Sequence, residues 1–286
     1  MNWFFFSIIA ALCWAVGSVL VKKGFENIPP LWNNVINNFL TIFVYIPAAF
    51  LLGEETHRLA LPSLVYIAVA SLLYQVFYYS ISKGQISLTG TVVASYPVIT
   101  IIFSHIFLHE RLTPLQYGAI LLIIGGGILI AMPQKISEAT KSVRTKHSVW
   151  LIWAIFGAVS LGSGDFLAKV AIDKSGIFNY LITIALISNF YSIFNYVIDK
   201  PNRDFPKGVF SHFSITVSGL LLNLIGFVSF LLAFKVGKAS LVAPISSVYP
   251  AITAIIAVKF LHERITKLHV VGIGLTVAGL VTIGLS

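Results

Sequence analysis

Asp165 is the one carboxylate that the pattern of this 286-residue sequence places well inside a long apolar run. A charge at membrane depth costs about 3 kcal/mol or more, so such a residue predicts a group that binds a cation or carries a proton. Lys169 lies four residues further on, and an Asp–Lys helix pair near the membrane interface explains the same two residues. The sequence leaves both interpretations open. In the second interpretation the Asp–Lys pair is structural, and the sequence offers no other obvious residue to carry a proton.

Neutral polar and aromatic side chains recur in the apolar runs. Amides and hydroxyls at such positions hydrogen-bond across helices at roughly 1 kcal/mol each, which is the commoner role for any one of them. As a set, they suit a small amphipathic organic solute better than an inorganic ion. The substrate-binding candidates are Trp14, Gln75, Tyr78, Tyr79, Ser95, Tyr96, Asp165, Asn223, Ser246 and Tyr249, and Asn37 and Asn38 lie in a further run.

Three prolines interrupt these runs and are candidate hinges. Proline lacks an N–H and clashes with the carbonyl four residues back, so Pro97 and Pro250, near the middle of their runs, would free the carbonyls of Val93 and Ser246. In a membrane, freed carbonyls need a neighbour, a water or a ligand. The pattern predicts either a kinked cavity wall or a packing kink, and Pro244 adds a second break to the run that contains Pro250.

The elements that carry these residues are predicted to be membrane helices. The chain is 57% hydrophobic and 10% charged, whereas a soluble domain averages about 45–50% and about 25%. A bilayer core about 30 Å thick needs about 20 apolar residues of helix. Continuous apolar runs favour helices over the alternating strands of outer-membrane proteins. Ten runs meet the requirement, at 4–22, 33–53, 63–82, 87–108, 115–133, 149–169, 177–198, 211–233, 241–261 and 267–285.

The charge pattern argues against several classes of protein. The net charge of +9 comes from Lys and Arg residues that stand singly between apolar runs, whereas a nucleic-acid-binding protein gathers them on one face. The single cysteine, Cys13, allows no disulfide framework and no cysteine metal site. The 10 acidic residues are dispersed, and there is no G-x-x-x-x-G-K-S/T phosphate loop. We therefore predict no enzyme activity, no cofactor, no metal site and no nucleic-acid partner.

An internal repeat relates the two halves of the chain. Residues 84–116 and 237–269 align at an offset of 153 without a gap, and the shared residues include a Tyr-Pro pair and the run Phe-Leu-His-Glu-Arg. A weaker echo relates 14–22 to 161–169. The repeat predicts five spans in each half, and an odd number inverts the second half. Inverted repeats place a substrate site at their interface near the midplane. The predicted domains are 1–133, a basic linker at 134–148, and 149–286.

The turns after spans four and nine carry the same His-Glu-Arg motif. Thr113 with Gln116 has the pattern of a capping box that opens span five, and Thr266 can cap span ten in the same way without a glutamine. The motif therefore predicts a well-capped turn with interfacial charges more strongly than a direct role in binding.

These motifs resemble those of the drug/metabolite transporter superfamily, specifically its EamA-type members. The resemblance covers nearly the whole chain and implies an all-α integral membrane protein with ten transmembrane helices in two inverted five-helix repeats. It also implies transport of amino acids, nucleotide-sugar-like metabolites, sugars or drugs, usually as export or exchange. The matching residues are Pro97, Leu108–Thr113 and Gly125–Gly126, then Pro250, Leu261–Thr266, Gly272 and Gly279.

The predicted function is secondary transport of small organic metabolites across the plasma membrane, by alternating access between the repeats. The alternatives are a lipid-linked-sugar flippase and, less favoured, a membrane anchor or assembly subunit. Glycines in spans five and ten let helices approach closely, so these spans could meet each other or form a homodimer.

Orientation is left open by the sequence. Basic residues favour the cytoplasm, and the resemblance implies cytoplasmic termini. With cytoplasmic termini, however, the inner loops would hold only Arg58, Arg111, Lys169, Lys174, Lys235 and Lys238 of the 19 basic residues.

Overall fold

A computed structural model describes residues 2–25, 30–52, 59–83, 93–132, 149–198, 210–261 and 266–285. Throughout these ranges the regular structure is helical, which confirms the all-α fold. The helices are α1 (Trp3–Phe25), α2 (Pro30–Leu52), α3 (Leu61–Lys83), α4 (Tyr96–Phe107), α5 (Pro114–Ala131), α6 (Val149–Ile198), α7 (Phe210–Val236), α8 (Ala239–Ser246), α9 (Tyr249–Leu261) and α10 (Lys267–Gly284).

Seven stretches among the described residues are long and apolar enough to cross a membrane by length and composition. α6 alone has 50 residues, and Gly176 divides it with φ 77° and ψ 163°, a conformation that glycine adopts without steric cost. This break falls between predicted spans six and seven. The count of ten crossings and the inverted orientation of the second half remain predictions.

The ends of α5 and α10 are specified by local chemistry. Thr113 Oγ1 accepts from Gln116 N at 3.3 Å, and Gln116 Oε1 accepts from Thr113 N at 3.1 Å, which confirms the predicted capping box. At the start of α10, His269 Nδ1 accepts from Thr266 N at 3.2 Å, so histidine takes the part of the missing glutamine. Both boxes satisfy N–H groups that a helix start leaves without partners.

The two Tyr-Pro pairs mark helix starts. Pro97 is the second residue of α4 and Pro250 the second residue of α9. The turns before them, at 94–95 and 247–248, are themselves 153 residues apart. This differs from the expected kink inside one continuous helix, because a proline in a first turn gives up an N–H that has no partner there anyway. Pro244 lies inside α8.

The described helices pack as two compact units, and each unit takes segments from both halves of the sequence. The first unit comprises Met1–Leu72 and Leu167–Gly237, and the second comprises Leu73–Phe166 and Lys238–Ser286. The chain therefore passes from the first unit to the second within α3, and from the second back to the first within α6.

Glycines let two helices approach each other closely in each unit. In the first unit, a Cβ added at Gly17 in α1 would lie 2.8 Å from the carbonyl oxygen of Gly219 in α7. In the second unit, a Cβ added at Gly126 in α5 would lie 2.5 Å from the carbonyl oxygen of Gly272 in α10. The predicted approach of spans five and ten to each other is confirmed, because small residues let the two backbones approach.

We expect Gly126→Ala to lower thermal stability in detergent, by about 1–3 kcal/mol in the free energy of unfolding, because the new methyl group meets the Gly272 carbonyl. Gly125→Ala is the matched control, since a Cβ there meets nothing within 4 Å among the described residues. Both variants gain the same helix propensity. Equal melting temperatures for the two variants would contradict this account of the α5–α10 contact.

Candidate functional site

Asp165 in α6 is buried in the second unit, with 2% of its surface exposed. Its Oδ1 accepts a hydrogen bond from the hydroxyl of Tyr74 in α3 at 2.9 Å. Tyr74 lies next to Gln75, which the sequence singled out, but Tyr74 itself was not among the predicted site residues. The structure thus shows a hydrogen-bond partner of Asp165 that the sequence did not predict.

Two glycines in α6 let the neighbouring helices reach this carboxylate. A Cβ added at Gly164 would lie 3.1 Å from the Tyr74 ring, so the ring packs on the backbone beside Asp165. A Cβ added at Gly162 would lie 2.5 Å from the Tyr96 carbonyl oxygen, and Thr100 Oγ1 donates to the Gly162 carbonyl at 3.1 Å. α3 and α4 therefore both contact the part of α6 that carries Asp165.

Two further tyrosines belong to the same neighbourhood. Tyr96 at the start of α4 is 5% exposed, and its phenol interacts electrostatically with Asp165 and with Tyr249. Tyr96 and Tyr249 are the equivalent tyrosines of the internal repeat. We call Tyr74, Tyr96, Asp165 and Tyr249 the Asp165 cluster. Three of its members are residues predicted from the sequence.

Lys169 is engaged with other groups. Its Nζ donates to Asp173 Oδ1 at 2.8 Å and to the Phe234 carbonyl oxygen at 2.7 Å. The ion pair that the sequence suggested between Asp165 and Lys169 is formed instead by Lys169 and Asp173, one helical turn further along α6.

Trp14 and Asn223 are brought together in the first unit. Trp14 Nε1 donates to the Asn223 backbone carbonyl at 3.1 Å, and a Cβ added at Gly226 would lie 2.9 Å from the Trp14 ring. Within the described residues, the Asn223 side-chain oxygen is buried without a hydrogen-bond partner. It lies against the backbone of Gly17, so this amide stands at the close contact between α1 and α7.

The other substrate-binding candidates from the sequence are not shown to contact the residues described above. Ser246 at the end of α8 is buried, and its hydroxyl has no hydrogen-bond partner in the part of the chain that is described. Ser95 immediately precedes α4, and its side chain makes no capping bond to that helix. Gln75 is half-buried in α3, whereas the side chains of Tyr78 and Tyr79 lie outside the described set.

An amide and hydroxyl network in the first unit joins α2 to the second part of α6. Asn38 Nδ2 donates to Ser192 Oγ at 2.7 Å and to Asn34 Oδ1 at 3.1 Å. Asn189 Nδ2 donates to the Asn38 carbonyl at 2.7 Å. The sequence pointed to Asn38 but not to its partners. These neutral bonds match the interhelical role that such residues have in membranes.

Glu110 of the first His-Glu-Arg turn caps α8. Its Oε1 accepts from Ala239 N and its Oε2 from Ser240 N, both at 2.9 Å, and the Ser240 hydroxyl donates to the same carboxylate. A carboxylate at a helix N-terminus is favoured by the helix dipole. Lys238 Nζ adds a 2.6 Å bond to the Arg111 carbonyl oxygen. The motif thus forms a turn and also ties that turn to the start of α8.

We expect Glu110→Gln to destabilise the protein by about 0.5–2 kcal/mol, the usual range for loss of a helix cap. Ser240→Ala should have less effect once Glu110 is replaced, because both changes remove the same contact. Thermal unfolding of the two single variants and the double variant measures this coupling. Arg111→Gln is the control, since Lys238 binds the backbone at that position. Strict additivity of the Glu110 and Ser240 effects would contradict the cap.

Known proteins share this organisation. A model of the EamA-like transporter family matches residues 1–132 and 148–285. The two matched segments leave out residues 133–147, which include most of the basic linker predicted from the sequence.

Relatives of the chain occur in archaea and bacteria. An uncharacterized transporter of Archaeoglobus fulgidus is 23% identical over 274 residues, which are 93% of this chain and 92% of that protein. The uncharacterized transporter YvbV of Bacillus subtilis is 27% identical over 136 residues, 46% of this chain and 45% of that protein. An uncharacterized protein of Methanocaldococcus jannaschii is 28% identical over 140 residues, 48% of this chain but 96% of that protein.

One solved crystal structure has a similar fold. It matches with a TM-score of 0.79 at 17% sequence identity, over 99% of this chain and 96% of its own. At this identity the likeness concerns the fold alone.

Proposed function

The chain belongs to the EamA-like transporter family, and we propose that it is a secondary transporter that moves small organic metabolites by alternating access. It is a multi-pass integral membrane protein of the plasma membrane. The family and its transporter-named relatives indicate transport rather than catalysis. We propose solutes of amino-acid-like, sugar-like or drug-like chemistry, and export or exchange as the mode.

The observation that carries this proposal is the composition of the Asp165 cluster. Tyr74 and Tyr96 come from the first half of the sequence, whereas Asp165 and Tyr249 come from the second. In inverted-repeat transporters the substrate site lies where the repeats meet. A cluster that draws on both halves therefore supports a site near these residues.

The duplication gains support from the relative in M. jannaschii. That protein matches 48% of this chain over 96% of its own length, so a chain of about one half occurs by itself. A chain that contains two copies of this unit has the two repeats that move against each other in alternating access.

The broken helices supply points at which such a movement can occur. The turn at 247–248 separates α8 from α9, and the turn at 94–95 precedes α4 at the equivalent place. Discontinuous helices near a substrate site are a recurring feature of secondary transporters. Because each break is a short turn, a change of direction there leaves the hydrogen bonds within the flanking helices intact.

The chemistry of the cluster matches the proposed substrate class. Phenol rings offer apolar faces together with a polar hydroxyl, and a ring face also attracts an organic cation. The carboxyl group of Asp165 adds a hydrogen-bonding group for the polar head of a solute. Amphipathic solutes present the complementary groups, an apolar body and a polar head.

The experiment is uptake and efflux of a panel of labelled amino acids, sugars and amphipathic drugs in proteoliposomes that contain the full chain. For the solute that moves, we expect Tyr96→Ala to lower flux roughly tenfold, equivalent to about 1.4 kcal/mol of lost interaction. Tyr117→Ala is the matched control, because Tyr117 in α5 is 40% exposed.

The folded fraction of each variant is checked by its melting temperature. Absence of flux for every member of the panel would overturn the proposed substrate class. Equal losses for the two tyrosine variants would overturn the placement of the site.

A further inference from the structure

We propose that Asp165 is the proton-binding group of the transport cycle and that the Tyr74 hydroxyl orients its carboxyl group. The inference rests on the proposed transport function, because a coupling proton needs a transported solute. It adds an energy source to that function and names the residue that connects the two.

The first argument is that Asp165 is buried and that no positively charged side chain among the described residues lies beside it. Asp165 is 2% exposed, and its carboxyl group accepts one hydrogen bond from a neutral phenol. A buried carboxylate that lacks a cation pays a large desolvation penalty. The described surroundings therefore favour the neutral acid, and an excursion to water is needed for ionisation.

The titratable groups around Asp165 strengthen this argument. Tyr74 from α3 is its hydrogen-bond partner, and Tyr96 from α4 lies within electrostatic range of Asp165 and of Tyr249 from α9. Phenols are neutral near pH 7 because their usual pKa is about 10. On α6 itself, Lys169 is bonded to Asp173 and to the Phe234 carbonyl, so its charge is already compensated.

The second argument comes from the internal repeat. The echo between 14–22 and 161–169 aligns Asp165 with Ser18. The carboxylate is therefore missing from the other copy. A carboxylate that the shared fold needed for stability would be expected in both copies, so Asp165 fits a function that one copy performs.

The geometry favours a proton over other cations. A hard metal cation takes about six or more oxygen ligands, and the described residues contain no group of three metal-ligating side chains. Because Asp165 is 2% exposed, an organic cation could not contact its carboxylate without displacing the side chains that cover it. A proton needs only one carboxylate oxygen, so it fits the site as described.

The proposed step is a simple proton exchange. The neutral carboxyl group releases its proton to water when the site opens to one face of the membrane, and the carboxylate takes a proton from water at the other face. Each turn of the cycle then moves one proton, and the solute moves in the conformation that the change of charge favours. No other reactant is required.

Infrared difference spectroscopy of the purified full chain tests the proton site without a substrate. We expect a carbonyl band of a protonated carboxylic acid that disappears as the pH is raised and that is absent in Asp165→Asn. Asp173→Asn is the matched control and should leave the band unchanged, because Asp173 is an exposed partner of Lys169.

Tyr74→Phe keeps the ring and removes the donor. Loss of this hydrogen bond should shift the frequency of the carbonyl band, because that frequency depends on the hydrogen bonds made by the carboxyl group. A band that persists in Asp165→Asn, or that is absent from the unaltered protein at every pH, would overturn the proposal.

Coupling is tested in proteoliposomes with an imposed pH gradient, using the labelled amino acids, sugars and drugs of the panel. We expect the gradient to raise flux about tenfold in the unaltered protein, and we expect Asp165→Asn to lose that ratio. If solutes move and Asp165→Asn keeps the full ratio, the proton proposal fails while transport stands. If the infrared band behaves as expected and no solute moves, the proton site stands and the proposed substrate class fails.

Discussion

The hydrocarbon core of the membrane leaves a buried polar group without water, and this constraint organises the protein. Backbone groups are satisfied inside helices, and helices come together where glycines allow it, as at Gly126 and Gly272. Side-chain polar groups then have to find partners on neighbouring helices, as Asn38 does with Ser192. Asp165 differs from these neutral groups because it can carry a charge, and the hydrogen-bond partner that the described residues give it is the neutral phenol of Tyr74. The cost of burying this carboxyl group is best explained by a function.

The two copies of the repeat are alike in their backbone and unlike in their chemistry. Each copy has a turn before a Tyr-Pro helix start and a threonine-based capping box after it. These features determine where helices begin, so both copies need them. The echo of the first span has Ser18 where α6 has Asp165, so the carboxylate belongs to one copy and not to the shared scaffold.

Glycines beside Asp165 show how the scaffold serves the site. Gly162 and Gly164 contribute no side chains, and for this reason the Tyr96 backbone and the Tyr74 ring can lie against α6. An alanine at Gly162 would clash with the Tyr96 carbonyl oxygen, and an alanine at Gly164 would force the Tyr74 ring to shift by a few tenths of an ångström. Helix packing therefore determines the position of the site. Glycines stabilise helix contacts in other parts of the protein, and at this site they let helices that carry tyrosines pack beside the aspartate.

The sequence by itself determined the all-α membrane class, the repeat, the family resemblance and the capping boxes, because hydropathy and the backbone chemistry of proline and threonine act over a few residues. It also placed Asp165, Tyr96 and Tyr249 among the candidates, because they are polar or aromatic residues inside apolar runs. Only the tertiary structure decided that Tyr74 meets Asp165 across 91 residues, and that Lys169 meets Asp173 rather than Asp165. Such pairings depend on which sides of two helices are in contact. Helix packing determines those contacts, and local sequence does not.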